Sequence, residues 1–119
     1  LNFDYKIENI DAFIEDIVDN RNNYIDQHTF LKRIDISKLI EVIKQCSSQQ
    51  IHDLRRAINT IYSFSNINEF FMDDKPSLIQ FKNSIEKLLS GENDMGDKIK
   101  RLQLSWFIDN LDRILNKLS

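Results

Sequence analysis

Cysteine and histidine could do the most specific chemistry in this chain, and both are scarce. Cys46 is the single cysteine, and His28 and His52 are the only histidines. With His52 as its base, Cys46 could be a nucleophile, but a reactive thiol needs an accessible, electropositive setting. Cys46 lies on the apolar side of a predicted helix, so we interpret it as a small core residue. A lone cysteine forms no internal disulfide, which favours a reducing, cytoplasmic compartment.

Patterns for metal, cofactor and acid–base chemistry are weak. A metal site needs clustered ligands, and no His-x3-His or Cys-x2-Cys spacing occurs. Gly91 and Gly96 do not have the spacing of a phosphate-binding loop. The acid pairs Glu15-Asp16 and Asp73-Asp74 are expected to be exposed, where a carboxyl group has no reason for a raised pKa. We therefore predict that the chain is not an enzyme and holds no cofactor or metal.

Acidic residues are concentrated near the start of the chain. Residues 1–30 contain seven acidic and two basic residues, and the formal net charge of the whole chain is −3. A negative net charge disfavours a nucleic-acid partner. On the predicted first helix, Asp11, Glu15 and Asp19 share the side opposite to the apolar residues. This side is either a solvated surface or a landing surface for a basic partner protein, and the three acids are candidate partner-binding residues.

Two arginines lie in a short motif on the predicted fourth helix. The stretch from Ser48 to Asn59, SQQIHDLRRAIN, resembles the helix of clamp-loader-type AAA+ ATPases that carries the sensor-2 arginine. In that family a Gly-Asp-Leu-Arg-Arg-Ala-Ile-Asn run places an arginine on the nucleotide phosphates, so the resemblance implies phosphate binding by Arg55 or Arg56. His52 stands where the family has glycine, and the sequence contains no Walker motif. The resemblance implies an alternative function as an accessory helical domain of a nucleotide- or nucleic-acid-handling ATPase.

Aromatic residues are dense between Phe64 and Met72 and again near the end of the chain. Core packing is the ordinary interpretation, since buried Phe residues dominate most cores. Adjacent apolar residues on one helix cannot all face the same core, however, so some of them are available to a partner's amphipathic helix. The candidate anchors are Phe70, Phe71, Trp106 and Phe107.

The elements that must position these residues are predicted to be helices. The chain has only two glycines and one proline, while Ile, Leu and Phe recur at spacings of three and four. The pattern predicts helices at about 8–20, 24–33 and 76–90, and a long last helix from near residue 94. Two more begin after a cap at Asp35 or Ser37 and after a capping box of Ser47 and Gln50. The aromatic stretch either continues the fourth helix or forms a short one.

The helical wheel predicts which side chains point inward. Ile14 and Val18 are expected inward on the first helix, and Arg55 and Arg56 outward on the fourth. Gly91 is expected to end the 76–90 helix in a left-handed conformation. The last helix carries two offset apolar stripes, so it either has a wide buried face or breaks near residues 103–105, and we favour one long helix. The first stripe is Met95, Ile99, Leu102 and Trp106, and the second is Leu104, Ile108, Leu111, Leu115 and Leu118.

These patterns predict a single all-α domain over residues 1–119, a bundle of five to seven mostly antiparallel helices. The chain begins with Leu, so it is either a domain by itself or a fragment of a longer protein. We predict a non-enzymatic protein–protein interaction module: an adaptor, an inhibitor or immunity-type protein, or a helical domain of a larger assembly. Its partner would be another protein with a basic or amphipathic-helical surface. No apolar run approaches the ~20 residues of a membrane span, and homo-dimerisation through the last helix is a third alternative.

Overall fold

The computed structural model describes residues 9–63, 67–91 and 98–118, except for the side chains of residues 25 and 27. All regular structure in these ranges is helical, which confirms the predicted all-α bundle with a long C-terminal helix. The helices are α1 (Ile10–Asp19), α2 (Arg21–Gln27), α3 (Ile36–Gln45), α4 (Ser48–Ile61), α5 (Ile67–Phe71), α6 (Lys75–Ser90) and α7 (Lys98–Lys117). Two short 3₁₀ turns, Leu31–Arg33 and Met72–Asp74, precede α3 and α6. The expectations for Phe64, Met95 and Gly96 lie outside the described residues.

Helix starts follow the predicted capping residues. At the start of α3, the Asp35 carboxylate accepts a hydrogen bond from the Lys38 N–H at 3.2 Å, so Asp35 rather than Ser37 is the cap. At the start of α4, the Ser47 hydroxyl accepts from the Gln50 N–H at 3.1 Å, and Gln50 Oε1 accepts from the Ser47 N–H at 2.9 Å. The predicted capping box is therefore confirmed.

The helices share one hydrophobic core, to which each of α1 to α7 contributes buried side chains. α4 packs against both α1 and α7, and α6 packs against α3 and α7. The α6–α7 pair is antiparallel: Lys82 forms an ion pair with Asp112, while Arg101 donates to the carbonyl oxygen of Leu89 at 2.7 Å. α7 is thus held between α4 and α6, which fixes the side that it shows to solvent.

Two predictions about the helices are wrong: the inward orientation of Val18 and the left-handed conformation of Gly91. Val18 is exposed, because Ile10, Phe13 and Ile17 fill the core positions of α1. α6 ends at Ser90 as predicted, but Gly91 has φ −74° and ψ 167°, which is extended and not left-handed. Its N–H donates to the Lys87 carbonyl oxygen at 2.9 Å, so the helix end is hydrogen-bonded without a left-handed residue.

The expectation that the Asp73-Asp74 pair is exposed is wrong for Asp74, because the Asp74 side chain is fully buried. The carboxylate accepts hydrogen bonds from the N–H groups of Phe30 at 2.8 Å and Lys32 at 3.1 Å, and from the Tyr62 hydroxyl at 2.7 Å. The Tyr62 oxygen accepts in turn from the Leu31 N–H at 3.3 Å. This network fastens the first 3₁₀ turn to the end of α4 and the start of α6.

Candidate partner-binding surface

Cys46 is a core residue, as predicted, and not an accessible nucleophile. The side chain is buried, and its thiol donates to the Val42 carbonyl oxygen with a sulfur–oxygen distance of 3.3 Å. Burial raises the thiol pKa to about 11. At neutral pH almost none of it is the thiolate that attacks an electrophile. His52, the base considered for this thiol, contacts Arg55 instead.

We expect Cys46 of the folded protein to react with a thiol-specific disulfide reagent at pH 8 about a hundredfold more slowly than in the unfolded chain. Raising the thiol pKa from 9.0 to about 11 lowers the thiolate fraction by that factor. Because the thiol pKa is higher in the folded state, the free energy of unfolding should fall as the pH rises from about 9 toward about 11. Absorbance-monitored labelling with and without denaturant measures the ratio. Equal rates would contradict the buried thiol.

The histidines and acidic side chains of the described ranges do not assemble a metal site. No group of three or more His, Cys, Asp or Glu residues there is close enough to hold an ion. His28, whose φ of 60° lies in the left-handed region, packs edge-on against the ring of Phe70 at 4.9 Å.

None of the helices that the structure describes has the length and apolar character needed to cross a membrane.

The acidic row predicted on α1 lies on the surface. Asp11, Glu15 and Asp19 are all exposed, and Asp11 accepts a hydrogen bond from Gln50 Nε2 at 3.2 Å. Asp16, between them, has a structural role: its carboxylate accepts from Asn20 Nδ2 at 2.8 Å and from the Tyr24 hydroxyl at 3.1 Å. The structure therefore leaves Glu15 and Asp19, with Asp11 beside them, facing solvent.

Two of the four predicted aromatic anchors are wrong. Phe71 is fully buried and packs edge-on against Tyr62 at 4.9 Å, while Phe107 is 1% exposed and packs against Phe81 at 5.3 Å. Both rings are enclosed by the core, so they have no surface to offer a partner. Phe70 is half-buried and packs against the core, which leaves it less free area than an exposed ring. Trp106 is the anchor that remains.

Trp106 belongs to a row of large apolar side chains that α7 leaves exposed. Ile99 is 60% exposed, Leu102 47% and Trp106 43%. They form the stripe predicted to widen the buried face of α7, and that prediction is wrong. The core side of α7 is instead filled by other apolar side chains, namely Leu104, Phe107, Leu111, Ile114 and Leu118. We call the exposed row, with the Arg55 side chain beside it, the Trp106 face.

Arg55 forms one edge of the Trp106 face. Its guanidinium carbon lies 5.9 Å from the centre of the Trp106 ring, a cation–π geometry between α4 and α7. Its Nη2 donates to His52 Nδ1 at 2.9 Å, while Nε is buried without a hydrogen-bond partner among the described residues. The prediction that Arg55 points outward like Arg56 is wrong, because the Trp106 ring covers it in part. Arg56 is exposed, beside a shallow groove between α1 and α4.

Two other arginines lie close enough to Arg55 to affect its guanidinium. Burial lowers the pKa of the Arg55 guanidinium, and the positive charges of Arg56 and Arg113 lower it further. An arginine remains charged at neutral pH nevertheless. Within the part of the chain that the structure describes, none of the three arginines forms an ion pair with a carboxylate. The sequence patterns did not single out Arg113.

No protein-family model, no curated protein and no solved structure matches this chain. The Trp106 face and the acidic row are therefore the features of this protein that bear on its function.

Proposed function

We propose that this chain is a non-enzymatic interaction module that binds an amphipathic helix of a partner protein on the Trp106 face. The observation that carries the proposal is the row of Ile99, Leu102 and Trp106, which stays exposed although the apolar side chains on the core side of α7 are buried. The absence of an activated thiol at Cys46 is consistent with a role that needs no catalysis. A cytoplasmic location, which a single reduced cysteine favours, belongs to the same proposal.

The composition of the face supports binding to a protein. Tryptophan and arginine are the residue types that contribute most often to protein–protein affinity. Covering what is exposed of each apolar side chain would contribute on the order of 1 kcal/mol. The row follows positions i, i+3 and i+7 of one helix, so it is narrow and long. A partner helix with one apolar stripe matches that shape better than a flat surface does.

The acidic row on α1 has a separate part in the proposal. Asp11, Glu15 and Asp19 would attract basic residues elsewhere on the partner and raise the rate of association. Replacing all three with lysine should then slow association with a basic partner while leaving the dissociation rate nearly unchanged. If the triple variant no longer binds the partner at all, the acidic row is part of the buried interface instead.

Helical peptides provide the test of the Trp106 face. We would titrate the protein with three peptides of about 20 residues that share one leucine stripe and carry Glu, Gln or Lys on the polar side. Because Trp106 is the only tryptophan, its emission reports directly on the face. Binding is expected to shift that emission to shorter wavelength, because the peptide excludes water from the ring. Leu102→Ser should weaken binding about tenfold, as an anchor worth more than 1 kcal/mol would.

Ile79→Ser is the matched control for this experiment. Ile79 lies on α6 and is 41% exposed, close to the 47% of Leu102, so both variants replace a comparable exposed side chain. The control should bind each peptide as the wild type does. Equal weakening by both variants, or no binding of any peptide, would contradict the proposal. A light-scattering dimer that Leu102→Ser converts to a monomer would make a second copy of the chain the occupant.

Phosphate binding is the second candidate function, and one observation favours it. Arg56 and Arg113 are close enough to Arg55 to lower the pKa of its guanidinium, and none of the three has an ion-pair partner among the described residues. In this alternative Arg55 and Arg56 contact a nucleotide or a nucleic-acid backbone. The double variant Arg55→Ala/Arg56→Ala would then abolish binding of ATP or a thymidine oligonucleotide, measured by titration calorimetry. ATP and oligonucleotide affinities unchanged by the double variant would exclude this alternative.

A further inference from the structure

We propose that the partner helix carries carboxylates beside its apolar stripe and that the side chains of Arg55 and Arg113 bind them. This inference depends on the proposed docking on the Trp106 face and adds the charge of the partner. Its chemical basis is that a guanidinium group binds a carboxylate through two parallel hydrogen bonds, which gives both affinity and orientation.

The Arg55 guanidinium is held in place before any partner arrives. His52 Nδ1 accepts from its Nη2 at 2.9 Å, and the Trp106 ring lies 5.9 Å from its central carbon. These two contacts restrict the rotation of a side chain that is otherwise flexible. Less conformational entropy is then lost when Arg55 binds a carboxylate, which is the usual advantage of a preorganised site.

No carboxylate of the described residues forms an ion pair with Arg55. Arg56 and Arg113 are the charged groups with the largest influence on its guanidinium, and both are positive. The nearest acids in sequence do not reach these arginines: Asp53 is exposed and accepts from Gln49 Nε2 at 3.0 Å. In the part of the chain described, Asp109 forms no ion pair with Arg113. An incoming carboxylate would therefore meet guanidinium groups that no described carboxylate holds in an ion pair.

An acidic protein segment explains more of this face than a nucleic acid does. A phosphate backbone would use the arginines but would leave Ile99 and Leu102 without a contact. An amphipathic helix with acidic residues along its stripe would cover the apolar row and pair with the arginines at once. The formal net charge of −3 also opposes general binding to nucleic acid.

The three peptides distinguish the charge of the partner from docking itself. The Glu peptide should bind at least about tenfold more tightly than the Lys peptide, with the Gln peptide between them, since complementary charges favour one and like charges oppose the other. The difference should shrink as sodium chloride rises from about 50 mM to about 0.5 M, because salt screens exposed charges. In the double variant Arg55→Gln/Arg113→Gln the preference for the Glu peptide should fall below about threefold.

Lys32→Gln/Arg33→Gln is the matched control, because it removes two exposed positive charges on the first 3₁₀ turn. This control should keep the preference for the Glu peptide. A Lys peptide that binds as tightly as the Glu peptide would overturn the acidic partner while leaving docking on the face intact. Failure of all three peptides would overturn the proposed function and this inference with it. Tighter binding of a thymidine oligonucleotide than of the Glu peptide would replace the acidic helix by a nucleic acid.

A second measurement tests the positive charge at Trp106 without any peptide. The arginines should concentrate iodide and repel caesium at the ring, so iodide should quench Trp106 fluorescence more strongly than caesium. The ratio of the two quenching constants should fall at least about twofold in Arg55→Gln/Arg113→Gln and stay unchanged in Lys32→Gln/Arg33→Gln. Acrylamide, which is uncharged, corrects for any change in exposure of the ring. An iodide-to-caesium ratio that the arginine variant leaves unchanged would overturn the inference.

Discussion

Replacing Phe107 by alanine is expected to lower the free energy of unfolding by about 3–5 kcal/mol, as for other buried Phe→Ala changes. Replacing Trp106, the residue before it, should cost only about 1 kcal/mol, because the exposed ring loses part of its packing and the contact with Arg55. Phe107 is 1% exposed and packs against Phe81, whereas Trp106 is 43% exposed. Urea unfolding followed by circular dichroism measures both values.

The two residues are neighbours on one helix and both are aromatic. The difference between the two changes in the free energy of unfolding therefore shows which of them faces the core. If Trp106→Ala destabilised the fold more than Phe107→Ala, α7 would be rotated relative to the structure described. The stripe of Ile99 and Leu102 would then belong to the core, and no Trp106 face would exist. Peptide binding should show the reverse order: Trp106→Ala weakens it strongly at temperatures where both variants are folded.

Asp74→Ala is expected to destabilise the protein by about 3–5 kcal/mol, whereas Asp73→Ala at the neighbouring exposed position should change stability by less than about 0.5 kcal/mol. Removing the buried carboxylate leaves the N–H of Phe30 and the hydroxyl of Tyr62 without their acceptor. Each such unpaired group costs about 1–3 kcal/mol. Chemical denaturation of the two alanine variants and the wild type gives the comparison. Equal stability of both variants would contradict the network.

The pH dependence of an Asp74→Asn variant tests the same network. Burial raises the pKa of the Asp74 carboxyl, against the opposing effect of the hydrogen bonds donated to it. A carboxyl whose pKa is higher in the folded state binds protons more tightly there, so its contribution to stability decreases as the pH rises through that pKa. The wild type should therefore exceed Asp74→Asn in stability by more at pH 3 than at pH 7. An increase of that difference with pH would mean that the hydrogen bonds outweigh burial.

The sequence predicts the elements of this fold well because their signals are local. The capping box at Ser47 and Gln50 joins atoms three residues apart, and so does the cap at Asp35. Helix periodicity also groups core positions such as Leu104, Leu111 and Leu118 correctly. A signal that needs only one turn of helix can be read without knowledge of the tertiary structure.

The candidate site was harder to predict, because it depends on contacts between distant parts of the chain. α7 has two apolar stripes, and periodicity cannot tell which one faces α4 and α6. Trp106 and Phe107 lie about 100° apart on a helix, and the sequence does not say which of them faces the core. Arg55 is half-buried only because Trp106, from another helix, lies over it.

Asp74 shows the same limit for a buried polar group. An acid before Lys75-Pro76 matches the usual start of a helix, and that local pattern favoured an exposed side chain. Its hydrogen-bond donors come from residues 30 and 32 and from Tyr62, far away in sequence. Only the tertiary fold brings these donors together, so burial of this carboxylate could not be predicted from the residues around it.

A nuclear magnetic resonance titration of the labelled protein with the Glu peptide tests the central claim most directly. The largest amide shifts are expected at Ile99, Leu102 and Trp106, with the Trp106 indole N–H and the Arg55 Nε–H among the side-chain signals that move. Shifts centred on α1 or α3, with the signals of α7 unchanged, would contradict a docking surface at the Trp106 face.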